Sequence, residues 1–305
     1  MIDAIDMFAG LGGFTEGAEQ AGCRVVWSGN HWAPAVKWHH ANHPLTVHAL
    51  QDMHQQPWEL VPRHDLLLAS WACQGFTPAQ GGRKPQTDTQ RATAWAVTSA
   101  LEYHRPYAFI GENVPAFAKW ELYPVWCAAL TQLGYALNMM VLDSAEAGVP
   151  QNRERLIIVG TRSKHPVELT LPRRERVLAS SFIDFTAGRW SPVERKGRAA
   201  ATLQRIANGR RQFGNRFLAP FYGGGSGLTG RSLDRPIGTI TTHDRWAVID
   251  GDRMRMLSVD EARQAMGFPA SYKLPQNSRL AMHLLGNAVC PPVARDVINA
   301  LQAAA

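Results

Sequence analysis

Four side chains of this 305-residue chain stand where they could do chemistry: Cys73, Glu112, Arg153 and Arg155. Cys73 lies in Ser70-Trp71-Ala72-Cys73-Gln74-Gly75-Phe76-Thr77, straight after the apolar run Leu66 to Ala69. It therefore sits at the carboxyl end of a predicted strand, the edge where open α/β sheets hold their ligands. A cysteine in apolar surroundings is usually an inert small hydrophobe. Cys73 instead precedes a loop rich in Gly, Gln, Thr and Lys, the composition of a lid, and a thiolate there would act as a nucleophile. Glu112, after the apolar run Phe109-Ile110-Gly111, is predicted to emerge at the same edge as an acid–base partner. Arg153 and Arg155 open a further strand at alternate positions, which predicts that they share one face. Taken singly, a strand-end Glu is more often a solvated surface group and Arg-x-Arg a salt-bridged edge, so only the set points to a site. Cys23, Cys127 and Cys290 lack such a setting and read as packing residues. The four cysteines are far apart, with none of the paired spacings of a zinc or redox site.

The elements that must position these groups alternate. Ile2 to Phe8 reads as a strand that enters the glycine turn Ala9-Gly10-Leu11-Gly12-Gly13, followed by a helix over Phe14 to Ala21. Strands are predicted at 25–28, 65–69, 107–111, 136–142 and 156–160, with helices at 33–41, 92–103 and 123–133. Strands alternating with helices imply a mostly parallel sheet covered on both faces. After Arg162 the alternation stops and the composition turns basic. A capping-box start at Ser258, three residues ahead of Glu261, predicts a helix there, and the tail Pro292 to Leu301 predicts another.

The charge pattern narrows the class of partner. The net charge is +7 and the segment Arg162 to Arg216 holds 13 Lys and Arg against 4 Asp and Glu, so one stretch carries the positive field. That suits a lobe gripping a phosphate backbone beside a lobe that does chemistry. No apolar run approaches the roughly 20 residues of a membrane span, and the opening residues carry no leader pattern, which predicts a cytoplasmic protein. A glycine turn after a first strand lets backbone approach a nucleotide-like ligand at a positive helix terminus. Past the second strand, Trp32 could stack on an adenine face and Asp52 could accept from its amino group, or they could be a core aromatic and a turn residue. A nicotinamide dehydrogenase is disfavoured, because the turn lacks the dinucleotide spacing and leaves the cysteine and arginine motifs unexplained.

The ordered set Phe8-Ala9-Gly10-Leu11-Gly12-Gly13, Cys73-Gln74-Gly75, Glu112-Asn113-Val114, Gln151-x-Arg153-x-Arg155 and Gly286-Asn287-Ala288-Val289 resembles the motif series of the DNA cytosine-C5 methyltransferase family over nearly the whole chain. The resemblance implies an α/β, Rossmann-like S-adenosylmethionine-dependent methyltransferase fold. It implies a catalytic and cofactor-binding domain at 1–170 plus 274–305 and a small basic target-recognition domain at 171–273. It implies catalysis by Cys73, Glu112, Arg153 and Arg155, with Cys73 adding to C6 of a flipped-out cytosine and no metal. The donor site would be formed by Phe8, Ala9, Gly10, Leu11, Gly12, Gly13, His31, Trp32, Asp52, Met53, Asn287 and Ala288. Duplex DNA would be met by Gln74, Arg83, Lys84, Arg91, Asn113 and Gln151, the enzyme acting as a monomer with a restriction endonuclease as a genetic partner only.

Two departures lie near the donor. The family usually has Pro-Pro before its cysteine, and this chain has Trp71-Ala72; proline fixes φ, so Ala72 predicts a less rigid approach to Cys73. The family often has an acidic residue where His31 stands, and a neutral imidazole offers one acceptor where a carboxylate offers more. Three readings follow: tolerated drift in an active methyltransferase, a pocket for a modified S-adenosylmethionine carrying a larger group such as carboxymethyl, and a catalytically weakened DNA-binding homologue. Transfer to RNA is a further possibility, since a related branch of the family modifies tRNA.

Overall fold

The structure, a computed structural model, describes residues 1–73, 76, 85–221 and 227–304. The chain divides into two compact units: Met1–Asp143, Glu154–Arg173 and Ala288–Ala305 form the first, and Ser144–Arg153 with Arg174–Asn287 form the second. The partition differs from the expected one. Residues 144–153 and 274–287 belong to the second unit, because their bonds run to it: Asn152 N donates to Ile237 O, and a Cβ on Gly286 would lie 2.3 Å from the Thr241 carbonyl carbon.

The first unit is built on a seven-stranded sheet of order β3-β2-β1-β4-β5-β7-β6. Its strands are β1 (Asp3–Met7), β2 (Arg24–Asn30), β3 (Val47–Leu50), β4 (Leu66–Ala69), β5 (Ala108–Asn113), β6 (Ala136–Asp143) and β7 (Glu154–Thr161). β1 to β5 pair in parallel, and β7 runs antiparallel to both neighbours. Every residue of β4 and β5 is buried, as expected of central strands covered on both faces. Ile5, Met7, Leu67, Ala69 and Phe109 pack with Ala94 and Val97 of α3 (Pro85–His104) and Trp126 of α4 (Tyr123–Gln132). Asp6, alternating to the other side, accepts from Thr15 of α1 (Gly13–Gln20) at 2.8 Å. α2 (Ala33–Asn42) supplies His39, whose Nε2 lies 3.0 Å from the same hydroxyl.

The second unit corrects the expectation of an irregular basic stretch. It contains a four-stranded antiparallel sheet of order β8-β11-β10-β9, made of β8 (Ser191–Pro192), β9 (Arg216–Pro220), β10 (Trp246–Asp250) and β11 (Arg253–Met256). α5 (Ala200–Phe213) packs Ile206 on Phe217, Ala219, Ala247 and Ile249 of that sheet. The strands are two to five residues long, and β9 and β10 are brief apolar runs with no helix alternating between them, so nothing local marked them as strands of one sheet. α6 (Val259–Ala265) has the predicted capping box complete, with Ser258 and Glu261 each accepting the other's backbone N–H. α7 (Ser278–Asn287) was not anticipated.

Returning to the first unit, α8 (Pro291–Ala304) lies against α1 through two glycines. A Cβ on Gly17 would stand 2.5 Å from Ala294 Cβ and 2.6 Å from Pro291 O, and one on Gly13 2.0 Å from Val289 O. Helix propensity favours Gly17→Ala by about 1 kcal/mol, whereas overpacking a close helix pair costs about 1–3 kcal/mol. The expected outcome is net destabilisation, read as a lower urea midpoint; a raised midpoint would show that the helices separate without cost.

Asp6 supplies a pH test. It is fully buried, and Oδ1 has no hydrogen-bond partner among the described residues. Burial pushes its carboxyl up to about 7, against the opposing pull of Thr15 and His43. A carboxyl raised on folding contributes stability at low pH that is lost as pH rises through about 7. Asp6→Asn should therefore gain stability relative to the native chain between pH 5 and pH 8. Urea titrations at the two pH values test this, and a gap that does not widen with pH removes the assignment.

Candidate active site

Because β1, β2, β3, β4 and β5 are parallel and β7 is antiparallel, Phe8, Asn30, Asp52, Ser70 and Asn113 follow or end their strands at the same sheet edge where β7 begins. Ser70 N donates to Met7 O at 3.2 Å, which extends the β1–β4 pairing by one residue. Trp71 then turns its ring inward. It is 2% exposed, 5.1 Å from Phe117 and 5.4 Å from Trp126 by ring centroids. It lies so flat on β5 that a Cβ at Gly111 would come within 2.6 Å of it. The bulk of Trp71 is thus spent on the core. Its carbonyl accepts from Asn113 Nδ2 at 3.2 Å.

Cys73 is half-buried beyond this anchor, and its carbonyl accepts from Phe76 N at 3.0 Å to close a turn. Phe76 in turn packs against Phe117 and Trp120. Aromatic burial on both sides of the cysteine therefore holds a segment that lacks the family's prolines. Ala72 is half-buried.

Glu112, 6% exposed, has both oxygens engaged. Ser70 Oγ donates to Oε2 at 2.8 Å, and Arg155 Nε donates to Oε1 at 2.9 Å. Cys73, Glu112 and Arg155 thus come from three adjacent strand ends, β4, β5 and β7. Ser70 was missed by sequence reading, where it served only as the start of the cysteine motif; its place opposite Glu112 follows from the Ala69–Gly111 register.

Three expectations need correction. Arg153 does not share a strand face with Arg155, because β7 starts at Glu154. Arg153 is 3% exposed and donates from Nη1 to Ile240 O and from Nη2 to Gly286 O at 3.1 Å each, inside the second unit. Gln151, expected to meet DNA, is fully buried, donating to Ala265 O at 2.9 Å and accepting from Ile240 N at 2.7 Å. Asn113, likewise expected at the DNA, is fully buried between Trp71 O and Val114 N. Buried amides with satisfied internal partners have no surface to offer DNA. Gln74, Arg83 and Lys84 lie outside the described residues; the Arg91 guanidinium sits 5.7 Å from the Phe76 ring.

At the first glycine turn, Phe8 adopts φ 60, a left-handed conformation uncommon for a bulky residue. Gly10 at φ 55 and Gly12 at φ 98 complete the turn, with Gly12 N donating to Ala9 O at 2.8 Å. Strain of this kind collects at functional sites. Gly13 packs on the Val289 carbonyl as described above, and Leu11 and Met53 are 1% and 2% exposed, so these three serve the core. Asn30 Oδ1 accepts from Trp32 N at 2.9 Å, leaving Trp32 half-buried and His31 exposed at the edge. Asp52 is exposed, with Oδ1 capping His54 N at 3.0 Å. Asn287 is exposed and bonded to His283, while Ala288 is buried. Among the described residues one group, Glu16, Glu19 and His43 on α1 and after α2, brings three metal-ligating side chains together, with ligand atoms within 4.8 Å of one another. No helix of the described residues is long and apolar enough to cross a membrane.

Comparison with known proteins agrees with this architecture. The Type II methyltransferase M.NlaX of Neisseria lactamica is 29% identical over 100% of this chain and 97% of its own. Among solved structures, an E. coli protein described as a prophage-encoded DNA modification methyltransferase superposes with a TM-score of 0.74 at 15% identity, covering 100% of this chain and 99% of the other. A Spodoptera frugiperda DNMT2 mutant gives 0.69 at 16% identity, covering 99% and 100%. At such identities the two structures establish the α/β methyltransferase fold. The model of the C-5 cytosine-specific DNA methylase family matches residues 2–184 and 195–303, and the chain accordingly belongs to that family of DNA cytosine-5 methyltransferases.

Proposed function

We propose that the chain methylates C5 of a cytosine swung out of duplex DNA, through a bond between Cys73 Sγ and C6. The observation that carries this reading is the convergence of Cys73, Glu112 and Arg155 from β4, β5 and β7, with the Glu112 carboxyl held between two donors. Cytosine C5 is a poor nucleophile, and addition of a thiolate at C6 places electron density on it. Glu112, protonated, hydrogen-bonds N3 and disperses the charge that develops on the ring. Arg155, which already holds Glu112 Oε1, is the group to contact the cytosine O2. After C5 gains its new group, loss of the C5 proton re-forms the C5–C6 double bond and expels Cys73 as the thiolate. Base flipping is required because a stacked base blocks the approach to C6.

S-adenosylmethionine supplies an electrophilic sulfonium methyl when bound. The strained Phe8, the exposed His31, the half-buried Trp32 and the exposed Asp52 fit an adenosine-bearing donor at the sheet edge, whereas Leu11, Gly13 and Met53 support it from the core. Exposed Arg173, Arg176, Arg189, Arg195 and Lys196 of the basic segment are suited to phosphates. Other arginines there are already engaged, Arg216 with Asp250 and Arg210 with Asp252. The Type II name of M.NlaX favours a place beside a restriction endonuclease.

A second reading, transfer of a larger group such as carboxymethyl, rests on Ala72 and His31. Trp71 buries its own bulk, and the half-buried Ala72 beside Cys73 has a smaller side chain than the family's proline. On this reading Ala72→Pro raises methyl transfer and suppresses transfer from the bulkier sulfonium, measured by nucleoside mass spectrometry. Equal changes in both activities would leave the methyl reading alone.

The decisive experiment is covalent trapping. DNA carrying 5-fluorocytosine at a productive site, incubated with protein and S-adenosylmethionine, should give an adduct stable to denaturation, with Cys73→Ser giving none. Well-folded protein that modifies ordinary DNA at C5 yet traps no fluorinated DNA would overturn the mechanism.

A further inference from the structure

We infer that Ser70 is a positioning residue for the reaction, its hydroxyl fixing the plane of the Glu112 carboxyl. This rests on the catalytic reading of Glu112 given above. The geometry is direct: Ser70 Oγ lies 2.8 Å from Glu112 Oε2, on the oxygen that Arg155 does not hold. The backbone at Ser70 is itself fixed, since its N–H donates to Met7 O and the Ala69–Gly111 register sets it beside Glu112. A short side chain on a pinned backbone has one rotatable bond to the oxygen, whereas Arg155 reaches Glu112 through a long flexible stem.

The two donors therefore do different work. Arg155 brings charge to Oε1, and Ser70 sets the rotation of the carboxyl about its terminal bond, which is otherwise broad and weakly restrained. A hydroxyl also suits both protonation states of its partner. It donates to an ionised carboxylate, and it can keep donating to the remaining lone pair of Oε2 when that oxygen carries the proton offered to N3. Neither state requires a heavy atom to move. With 8% of the Glu112 side chain accessible, little water is available to replace the serine. The neighbouring restraint on the cysteine segment, Asn113 Nδ2 to Trp71 O at 3.2 Å, does not involve the Ser70 side chain. Removing the hydroxyl should thus disturb the carboxyl while leaving the approach to Cys73 in place.

The test compares Ser70→Ala, Ser70→Thr and Glu112→Gln with the native enzyme. Two rates are read on duplex DNA tritiated at cytosine C5: methyl transfer, and donor-independent release of the label, which reports addition of Cys73 to C6. Ser70→Ala should lose about 10- to 100-fold in kcat, the cost of an unmade hydrogen bond to a charged group. Label release should slow by a similar factor, and KM for DNA should stay within about 2-fold. Ser70→Thr, which keeps the hydroxyl, should restore both rates to within about 3-fold of native. Should alanine fail to fold, Ser70→Cys, near-isosteric and a weak donor, serves in its place. If Ser70→Ala retains native kcat, or raises KM alone, while Glu112→Gln is inactive, the inference about Ser70 is wrong and the catalytic reading stands. If Glu112→Gln keeps native rates, the reading of Glu112 fails and the inference falls with it.

Discussion

The parallel pairing of β1, β4 and β5 is the constraint from which the site follows. Parallel strands deliver their carboxyl ends to one edge, and β7, reversed, delivers its amino end there. A residue just past β4, one near the end of β5 and one at the start of β7 must then be neighbours, whatever the loops between them do. The Ala69–Gly111 and Asn113–Leu156 pairings set their register to single residues. A slip by one residue would turn each side chain to the opposite face. The register is well defended, since β4 and β5 are wholly buried and Trp71 fits only over a glycine at 111.

That packing also bears on the missing prolines. A prolyl pair stiffens a chain by removing backbone freedom in both folded and unfolded states. Here restraint comes from tertiary contacts: the Trp71 ring in an aromatic cage, its carbonyl on Asn113, and Phe76 on Phe117 and Trp120. The substitution therefore relocates the source of rigidity from local covalent structure to the core. The space next to Cys73 changes as well, because alanine fills less than proline.

Asp6, Thr15, His39 and the half-buried His48 form a separate network. Asp6 Oδ2 accepts from Thr15, whose oxygen lies beside His39, and His39 Nδ1 meets His48 Nε2 at 2.8 Å. Burial holds the His39 imidazole well below its usual range, so it is neutral at ordinary pH. A neutral ring can bridge hydroxyl and imidazole partners without bringing charge into the interior, which makes the network tolerable beneath the turn at Phe8.

Much of the first unit was determined by the sequence alone. The central strands are continuous apolar runs, with Glu112 directly after one and Cys73 separated from another by three residues, so local pattern was enough to place them at one edge; the edge strand β3 gave no such signal, and α3 begins at Pro85, ahead of the expected 92. The second unit was not legible in this way, because β8 to β11 are only two to five residues long and pair antiparallel, so no strand–helix alternation announces them. Only the tertiary structure decided the fate of the polar residues near the motifs. Gln151, Arg153 and Asn113 are polar in sequence and buried in space, and each donates to a backbone carbonyl far along the chain: Ala265 O, Ile240 O and Trp71 O. The role of Ser70 was hidden for the same reason. A hydroxyl's partner is set by strand register across 42 residues of sequence, and no local pattern encodes that distance.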